Sequence, residues 1–395
     1  MSRRRFHRWG LWLALTALAA GLSAQDKPDV QFSGRIDTSL NVLSPDTSTA
    51  EAPWTVLGLA KGRVGLTAGS PAVKAEVRTS FNTAAAEPFS IDRAWVKFRF
   101  PGVRGTLGLG HLAWGPGLVF NAGDLLSNST SLSVSLGADE LRNQSAWLGD
   151  AWLALDDESF VEAMVISPPP AQLPVAGLIQ AVPDSIGKLA GGMRLSLAPA
   201  GWLFELAYAV DGANALHKIS LSSQFHAGLD WYASLRADLP FSATAGVPIE
   251  RGLSASVGGF GLADLGEGFG LTTRHEALIR PWQNWTSLDL PAWTSQNAAL
   301  SGAGGPGSAG AGLPYALYSY HELSLTMPEK LTASLRGLYS PIDASAVAIV
   351  RLDWAPLEAL GLYLQAAFQL GSGNATWAWS RSGGFVASLG AVCTW

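Results

Sequence analysis

One cysteine, Cys393, occurs in 395 residues, so no internal disulfide can form and the fold must stand without cross-links. Charge is scarce as well: Asp, Glu, Lys and Arg make up 14% of the chain. Beyond the N-terminal leader, no stretch approaches the ~20 uninterrupted apolar residues that a spanning helix needs. Long segments with apolar residues at three- and four-residue steps are missing too, which removes amphipathic helices as the main building material. No phosphate loop, dinucleotide fingerprint, metal-ligand cluster or Ser/His constellation appears, so an enzyme, a cofactor and a metal are not expected. Yet 48% of residues are hydrophobic and mean hydropathy is +0.19. The chain is as apolar as a membrane protein but has no helices to span one.

The N-terminus reads as an export signal. Residues 2–8 carry four arginines and no acid, Leu11 to Leu22 are apolar, and Leu22-Ser23-Ala24 offers a small-residue cleavage site. A signal peptide over 1–24 leaves a mature chain over 25–395. Removing the four leader arginines from 26 Lys+Arg leaves 22 against 31 Asp+Glu, a net charge of −9. That sign argues against a nucleic-acid partner.

The period of the sequence accounts for its apolar character. In "DVQFSGRIDTSLNVL", Val30, Phe32, Ile36, Leu40 and Val42 share one face, and Gln31, Arg35, Asp37, Ser39 and Asn41 the other. Alternation at two residues is the strand period. It recurs in "AVKAEVRTSFN", in "AGLDWYASLRADL" and in "GLYLQAAFQLG". About eighteen such segments are expected, beginning near residues 30, 55, 72, 92, 103, 145, 159, 187, 201, 215, 227, 252, 268, 315, 331, 345, 360 and 383. Losing one hairpin among the weakest, near 145, 159 and 215, would leave sixteen.

Short turns such as Pro101–Gly102 and Pro328–Lys330 alternate with long loops such as 112–144 and 280–314. This is the habit of a membrane barrel, and a soluble sandwich would not leave one whole face of every strand apolar towards water. In hydrocarbon an unpaired backbone N–H or C=O costs several kcal/mol, so a spanning sheet must close on itself. The predicted fold is therefore all-β: one transmembrane, antiparallel, up-and-down β-barrel with short periplasmic turns and long extracellular loops.

The C-terminal stretch "GGFVASLGAVCTW" ends an alternating run on an aromatic residue, with Leu389, Ala391, Cys393 and Trp395 in phase. It resembles the closing strand of Gram-negative outer-membrane β-barrels. The resemblance implies that barrel assembly machinery reads this strand and that it pairs with the first to close the barrel. A second stretch, "IDRAWVKFRFPGVRGTLGLGHLAWGPGLVFNAGDLL", resembles a porin hairpin followed by the entry to its constriction loop. The resemblance implies placement in the cell outer membrane, among its lipids.

Nine basic residues on the first five predicted strands share lumen parity: Arg35, Lys61, Arg63, Lys74, Arg78, Arg93, Lys97, Arg99 and Arg104. Only Asp37 and Glu76 oppose them there. One-sign linings raise the local counter-ion concentration, so this stripe reads as an anion-attracting wall; the plainer reading is that any wet lumen needs polar side chains. The 112–144 loop, with Asp124, Asp139 and Glu140, is expected to fold inward and set acids against that wall. Trp202, Trp231, Trp354 and Trp395 fall on outward parity, where rings form interfacial girdles. Trp282, Trp285 and Trp293 belong to loop packing more readily than to a sugar platform. His275 and His321 also fall outward, where headgroups or a protomer interface in a homo-oligomer would shelter them. The expected function is porin-like passive diffusion of small hydrophilic solutes, with an anion preference. The alternative is a surface-exposed adhesin or structural barrel with a plugged lumen.

Overall fold

The computed structural model describes residues 29–44, 54–83, 88–110, 113–125, 146–167, 189–241, 252–288, 314–372 and 384–395. Residues 1–24, expected to be a signal peptide, and the acids Asp139 and Glu140 lie outside the described residues.

Eighteen strands follow one another along the chain. The first nine are β1 (Asp29–Leu43), β2 (Thr55–Gly69), β3 (Val73–Asn82), β4 (Phe89–Phe100), β5 (Val103–Gly110), β6 (Ala146–Ala154), β7 (Phe160–Ile166), β8 (Ala190–Leu197) and β9 (Leu203–Asp211). The second nine are β10 (Leu216–Ala227), β11 (Leu229–Pro240), β12 (Leu253–Gly266), β13 (Phe269–Ile279), β14 (Leu317–Met327), β15 (Leu331–Ser340), β16 (Ser345–Leu357), β17 (Leu360–Leu370) and β18 (Phe385–Thr394). Each pairs antiparallel with its neighbours in sequence, and β1 pairs with β18. The sheet therefore has no edge, as a lipid-embedded sheet requires. All eighteen begin within three residues of the positions predicted from the alternation.

Closure runs from Arg35↔Thr394 through Leu40↔Leu389 to Leu43↔Val386. At its lower end Gly34 N–H donates to the Trp395 carbonyl at 2.9 Å, and Trp395 N–H donates to the Gly34 carbonyl at 3.1 Å. A Cβ on Gly34 would lie 2.1 Å from the Trp395 ring, so glycine is what lets the terminal indole lie across the first strand.

Connections at one end of the barrel are short. The turn between β10 and β11 is Gly228 alone, at φ 73°, a conformation that glycine adopts without strain. In the β12–β13 turn, β12 continues to Gly266 and leaves Glu267–Gly268 to reverse the chain. At the other end the β5–β6, β7–β8 and β13–β14 connections span 111–145, 167–189 and 280–316.

Outward positions carry the apolar set. Phe32, Leu66, Leu107, Leu206, Leu221, Leu235, Leu335, Leu364 and Leu389 are all exposed. In water this belt would be a patch far beyond the few hundred Å² that soluble surfaces show; around a barrel it meets hydrocarbon. Rings bound the belt at both ends. Trp202 stacks on Phe204 and Phe225 at the short-turn end (ring centroids 5.9 and 4.5 Å apart). Trp54, Phe368 and Phe385 cluster at the long-loop end. These are the interfacial girdles of a transmembrane barrel.

Candidate functional site

The interior is built from the inward residues of every strand, and its two sides differ in charge and in water. On β1–β5 the register sets basic residues directly against one another: Arg35↔Arg63, Arg78↔Arg93, Lys74↔Lys97 and Arg99↔Arg104, with Lys61 opposite Asp37. All nine sequence-predicted basic residues thus lie on one side of the sheet, opposite the apolar belt. Glu76 pairs with Arg78 at 2.6 Å and Asp37 approaches Arg35 at 3.8 Å. A third acid joins them. The β3–β4 ladder shifts register after Arg78, so Asp92 turns inward beside Arg93 and accepts a hydrogen bond from Ser80 at 2.6 Å. Strict alternation hid it, because a bulge puts consecutive residues on one face. Arg63, Lys74, Arg93, Lys97, Arg99 and Arg104 form no ion pair among the described residues, and Lys74, Lys97, Arg99 and Arg104 are exposed.

Elsewhere around the barrel, inward cations are matched by acids. Arg194 of β8 binds Glu162 of β7 and Glu205 of β9. Lys218 holds Asp211 at 2.7 Å, Arg236 holds Asp238 at 2.7 Å, and Arg351 holds Asp353 at 2.6 Å. Glu322 lies 3.0 Å from Arg336 and 3.8 Å from Arg274. Several of these groups are buried, and a buried charge must be paired.

What buries them is a piece of the 112–144 loop. Residues 113–125 leave the end of β5 and run inside the barrel to its far wall. Glu276 on β13 anchors the crossing: its carboxylate accepts the backbone N–H of Leu118 at 2.9 Å and those of Val119 and Phe120 at 2.8 Å. Ala122 N–H donates to the Ser256 hydroxyl at 3.1 Å, Ser220 donates to the Gly123 carbonyl at 3.3 Å, and Arg236 donates to the Asp124 carbonyl at 3.0 Å.

The local sequence suits this course. Asn121 Nδ2 donates back to the Trp114 carbonyl at 2.7 Å and staples the turn. Gly115 takes φ 76° there, and a Cβ on it would collide with Asn121 Oδ1 at 2.4 Å. Apolar residues then fill both flanks. Val119 and Phe120 pack with Tyr315, Tyr318, Tyr320, Val347 and Ile349; Trp114 and Leu125 pack with Leu148, Met164, Ile166 and Ala209.

Asp124, expected to face the basic wall, is 1% exposed and is seated against β11, where its carbonyl meets Arg236. Tyr232 and Ser234 have the expected inward parity but are buried, with Ser234 beneath Gly123. Glu276 was not singled out from the sequence; its one signal there is an acid on lumen parity between the outward His275 and Ala277. His275 and His321 face each other across β13 and β14 on the outer face, with Nδ1 atoms 2.9 Å apart.

Outside the strands, burial pulls the Arg280 guanidinium down to about 10 against the opposing pull of Tyr318, so it stays charged at neutral pH. In the β6–β7 turn, the backbone N–H groups of Glu158 and Ser159 hold the Asp156 carboxyl below its usual range. Among the described residues no group of three or more His, Cys, Asp or Glu is placed to hold a metal ion.

Closed, antiparallel, girdled at both ends and entered by a loop, the molecule has the fold of a porin-like outer-membrane β-barrel. No protein-family model matches the chain, and no curated protein does. Among solved structures, Pseudomonas aeruginosa OccD3 (OpdP) superposes with a TM-score of 0.50 at 9% identity, over 93% of this chain and 90% of that one. Mutants of Rh. blastica porin superpose with a TM-score of 0.48 at 9–10% identity, over 93% of this chain and all of theirs. At such identity the likeness to OccD3 is one of fold.

Proposed function

We propose that the chain is a porin-like channel of the cell outer membrane, passing small hydrophilic solutes by passive diffusion. Residues 113–125 narrow the lumen, and the basic face of β1–β5 gives the remaining passage a modest anion preference. The observation that carries this reading is the charge asymmetry of the interior. Inward cations from β8 onwards are matched by acids, whereas Arg63, Lys74, Arg93, Lys97, Arg99 and Arg104 on the β1–β5 face form no ion pair among the described residues. A one-sign lining beside a constriction concentrates the opposite ion, because narrow low-dielectric surroundings weaken screening. Asp139 and Glu140, further along the same loop, are proposed to supply acidic charge near the constriction. The signal peptide over 1–24 exports the chain. Barrel assembly machinery reads Leu389, Ala391, Cys393 and Trp395, and lipid contact covers the outer belt. A homo-oligomer would shelter His275 and His321.

The test is reversal potential in planar bilayers under a KCl gradient. The unmutated channel should prefer chloride, and replacing Arg78, Lys97 and Arg99 together by Gln should shift it towards cations. Strong cation selectivity before mutation would show that loop acids control permeation. The apolar packing of residues 113–125 favours a second reading, a surface-exposed adhesin or structural barrel whose lumen is plugged. Absence of current from folded protein would decide for it.

A further inference from the structure

We propose that His275 and His321 form half of a zinc-type metal site on the outer face of the barrel, completed by the same two residues of a second copy of this chain. Such a site is independent of whether the lumen conducts. Its setting is a row of cross-strand partners that crosses the outer wall: Trp231↔Gly259, Gly259↔His275, His275↔His321, His321↔Gly337, Gly337↔Ala348 and Ala348↔Phe368. Trp231 is the partner of Phe225 in the short-turn girdle, and Phe368 belongs to the long-loop girdle. The two imidazoles therefore lie between the girdles, at hydrocarbon depth, and both are exposed there. An ionisable side chain at that depth costs free energy unless a partner covers it.

Three features point to a metal ion held between two copies. First, the Nδ1 atoms are 2.9 Å apart. Two nitrogens on one tetrahedral Zn2+ at ordinary bond lengths are about 3.3 Å apart, so a small opening of the pair makes it a chelate. Second, His321 Nε2 lies 3.2 Å from the Ser319 hydroxyl. With Nε2–H donating there, Nδ1 of His321 carries the lone pair, which is the tautomer a metal ligand needs. His275 Nδ1–H then donates to that lone pair. Moving this proton to Nε2 of the same ring frees the second ligand atom, and no net proton is lost. Third, the flanking Gly259, Gly337 and Ala348 are small, so a second barrel wall can come close. Copies that share one orientation in a membrane and are related by a two-fold along its normal set this face against itself. Two imidazoles from each copy then fill a four-coordinate shell and shield the ion from lipid. Mg2+ prefers oxygen ligands and is not served by this set.

The experiment uses the mature chain refolded in detergent on a Cys393→Ser background, so that no thiol links copies or binds metal. In equilibrium dialysis Zn2+ should bind at one ion per two chains, and sedimentation should show the protein mass double. EDTA should reverse both effects, and Mg2+ should produce neither. His321→Leu, which puts an apolar side chain in the belt, should weaken zinc binding by about a hundredfold and keep the protein monomeric. Should it not refold, His275→Leu tests the same pair. Gly337→Leu keeps both imidazoles but adds bulk beside them; its Cβ would meet only the Val347 carbonyl, at 3.7 Å, so the barrel should tolerate it while association weakens. Zinc bound at one ion per chain without association would overturn the proposal, as would an absence of zinc binding. Zinc affinity that survives His321→Leu, or association that needs no zinc, would do the same. Planar-bilayer current of the same preparation is scored separately and bears on the channel reading alone.

Discussion

Replacing Glu276 should loosen the segment that crosses the barrel while leaving the barrel itself intact. Its carboxylate accepts three backbone N–H groups, at 2.9, 2.8 and 2.8 Å, from a residue that is 3% exposed. Hydrogen bonds to a charged acceptor contribute about 1.5–3 kcal/mol each. Allowing for released donors that find water, Glu276→Ala should cost the segment roughly 3–6 kcal/mol. Of the other polar anchors, those from Ser256 and Ser220 are worth about 1 kcal/mol apiece and the charged Arg236 about 1.5–3 kcal/mol, so the substitution removes the larger share of the polar attachment. Glu276→Gln should fall between. Its single carboxamide oxygen can accept the Val119 and Phe120 N–H groups, but its NH2 would then confront Leu118 N–H, donor against donor. Two measurements follow the segment: amide hydrogen exchange at Leu118, Val119 and Phe120 in refolded protein, and current noise in planar bilayers. Exchange and open-channel noise should both increase from wild type to Gln to Ala, while the heat-modifiable fraction on unheated gels stays constant. Unchanged protection in Glu276→Ala would refute the argument that this carboxylate holds the segment, and would transfer the role to the packing of Phe120 against the tyrosines.

Gly34→Val should lower the yield of folded barrel, because its Cβ would lie 2.1 Å from the Trp395 ring; Trp395→Ala in the same chain should restore part of it on unheated gels. Leu335→Arg, in the middle of the outer belt, should destabilise by about 2–4 kcal/mol in denaturant titrations, and Thr67→Arg on the inner face by far less. On a Cys393→Ser background, cysteines at Ser39 and Arg99 should react with a water-soluble thiol reagent, and cysteines at Leu107 and Leu235 should not. A cysteine at Ser234 should also be slow despite its inward parity, since Gly123 covers it; rapid reaction there would show that the segment does not stay seated.

The strands were legible because lipid outside and water or polar packing inside impose one alternation along each of them. Two of the three weakest readings, those near 145 and 159, have a physical cause. On β6 and β7 the inward residues Leu148, Met164 and Ile166 are apolar because they pack against Trp114 and Leu125, so both faces of these strands are greasy and the period fades. Parity told which way a side chain points but not what it meets. It placed Arg236 and Ser234 inward, yet could not show that a loop from β5 would arrive on top of them. Glu276 was illegible for the same reason, since its partners lie more than 150 residues away and are backbone N–H groups, which leave no mark in sequence.

Burial explains the pairing of charges inside this barrel, but it does not explain the sign of the unpaired ones. Arg194, Lys218, Arg236 and Arg336 lie where residues 113–125 or neighbouring side chains exclude water, and each has its carboxylate, because an isolated buried charge would cost several kcal/mol. Lys74 and Arg99 are exposed, so solvation alone would tolerate acids, bases or neutral polar groups there equally well. That freedom makes charge reversal a clean test. Lys74→Glu with Arg99→Glu should leave folding yield and denaturation midpoint near those of the wild type, since surface charges contribute little to stability. The same change should turn the anion preference into a cation preference. Loss of the fold would show that these two cations hold the wall together through contacts beyond solvation. A folded double variant with unchanged reversal potential would place the selective point of the channel away from the β1–β5 wall.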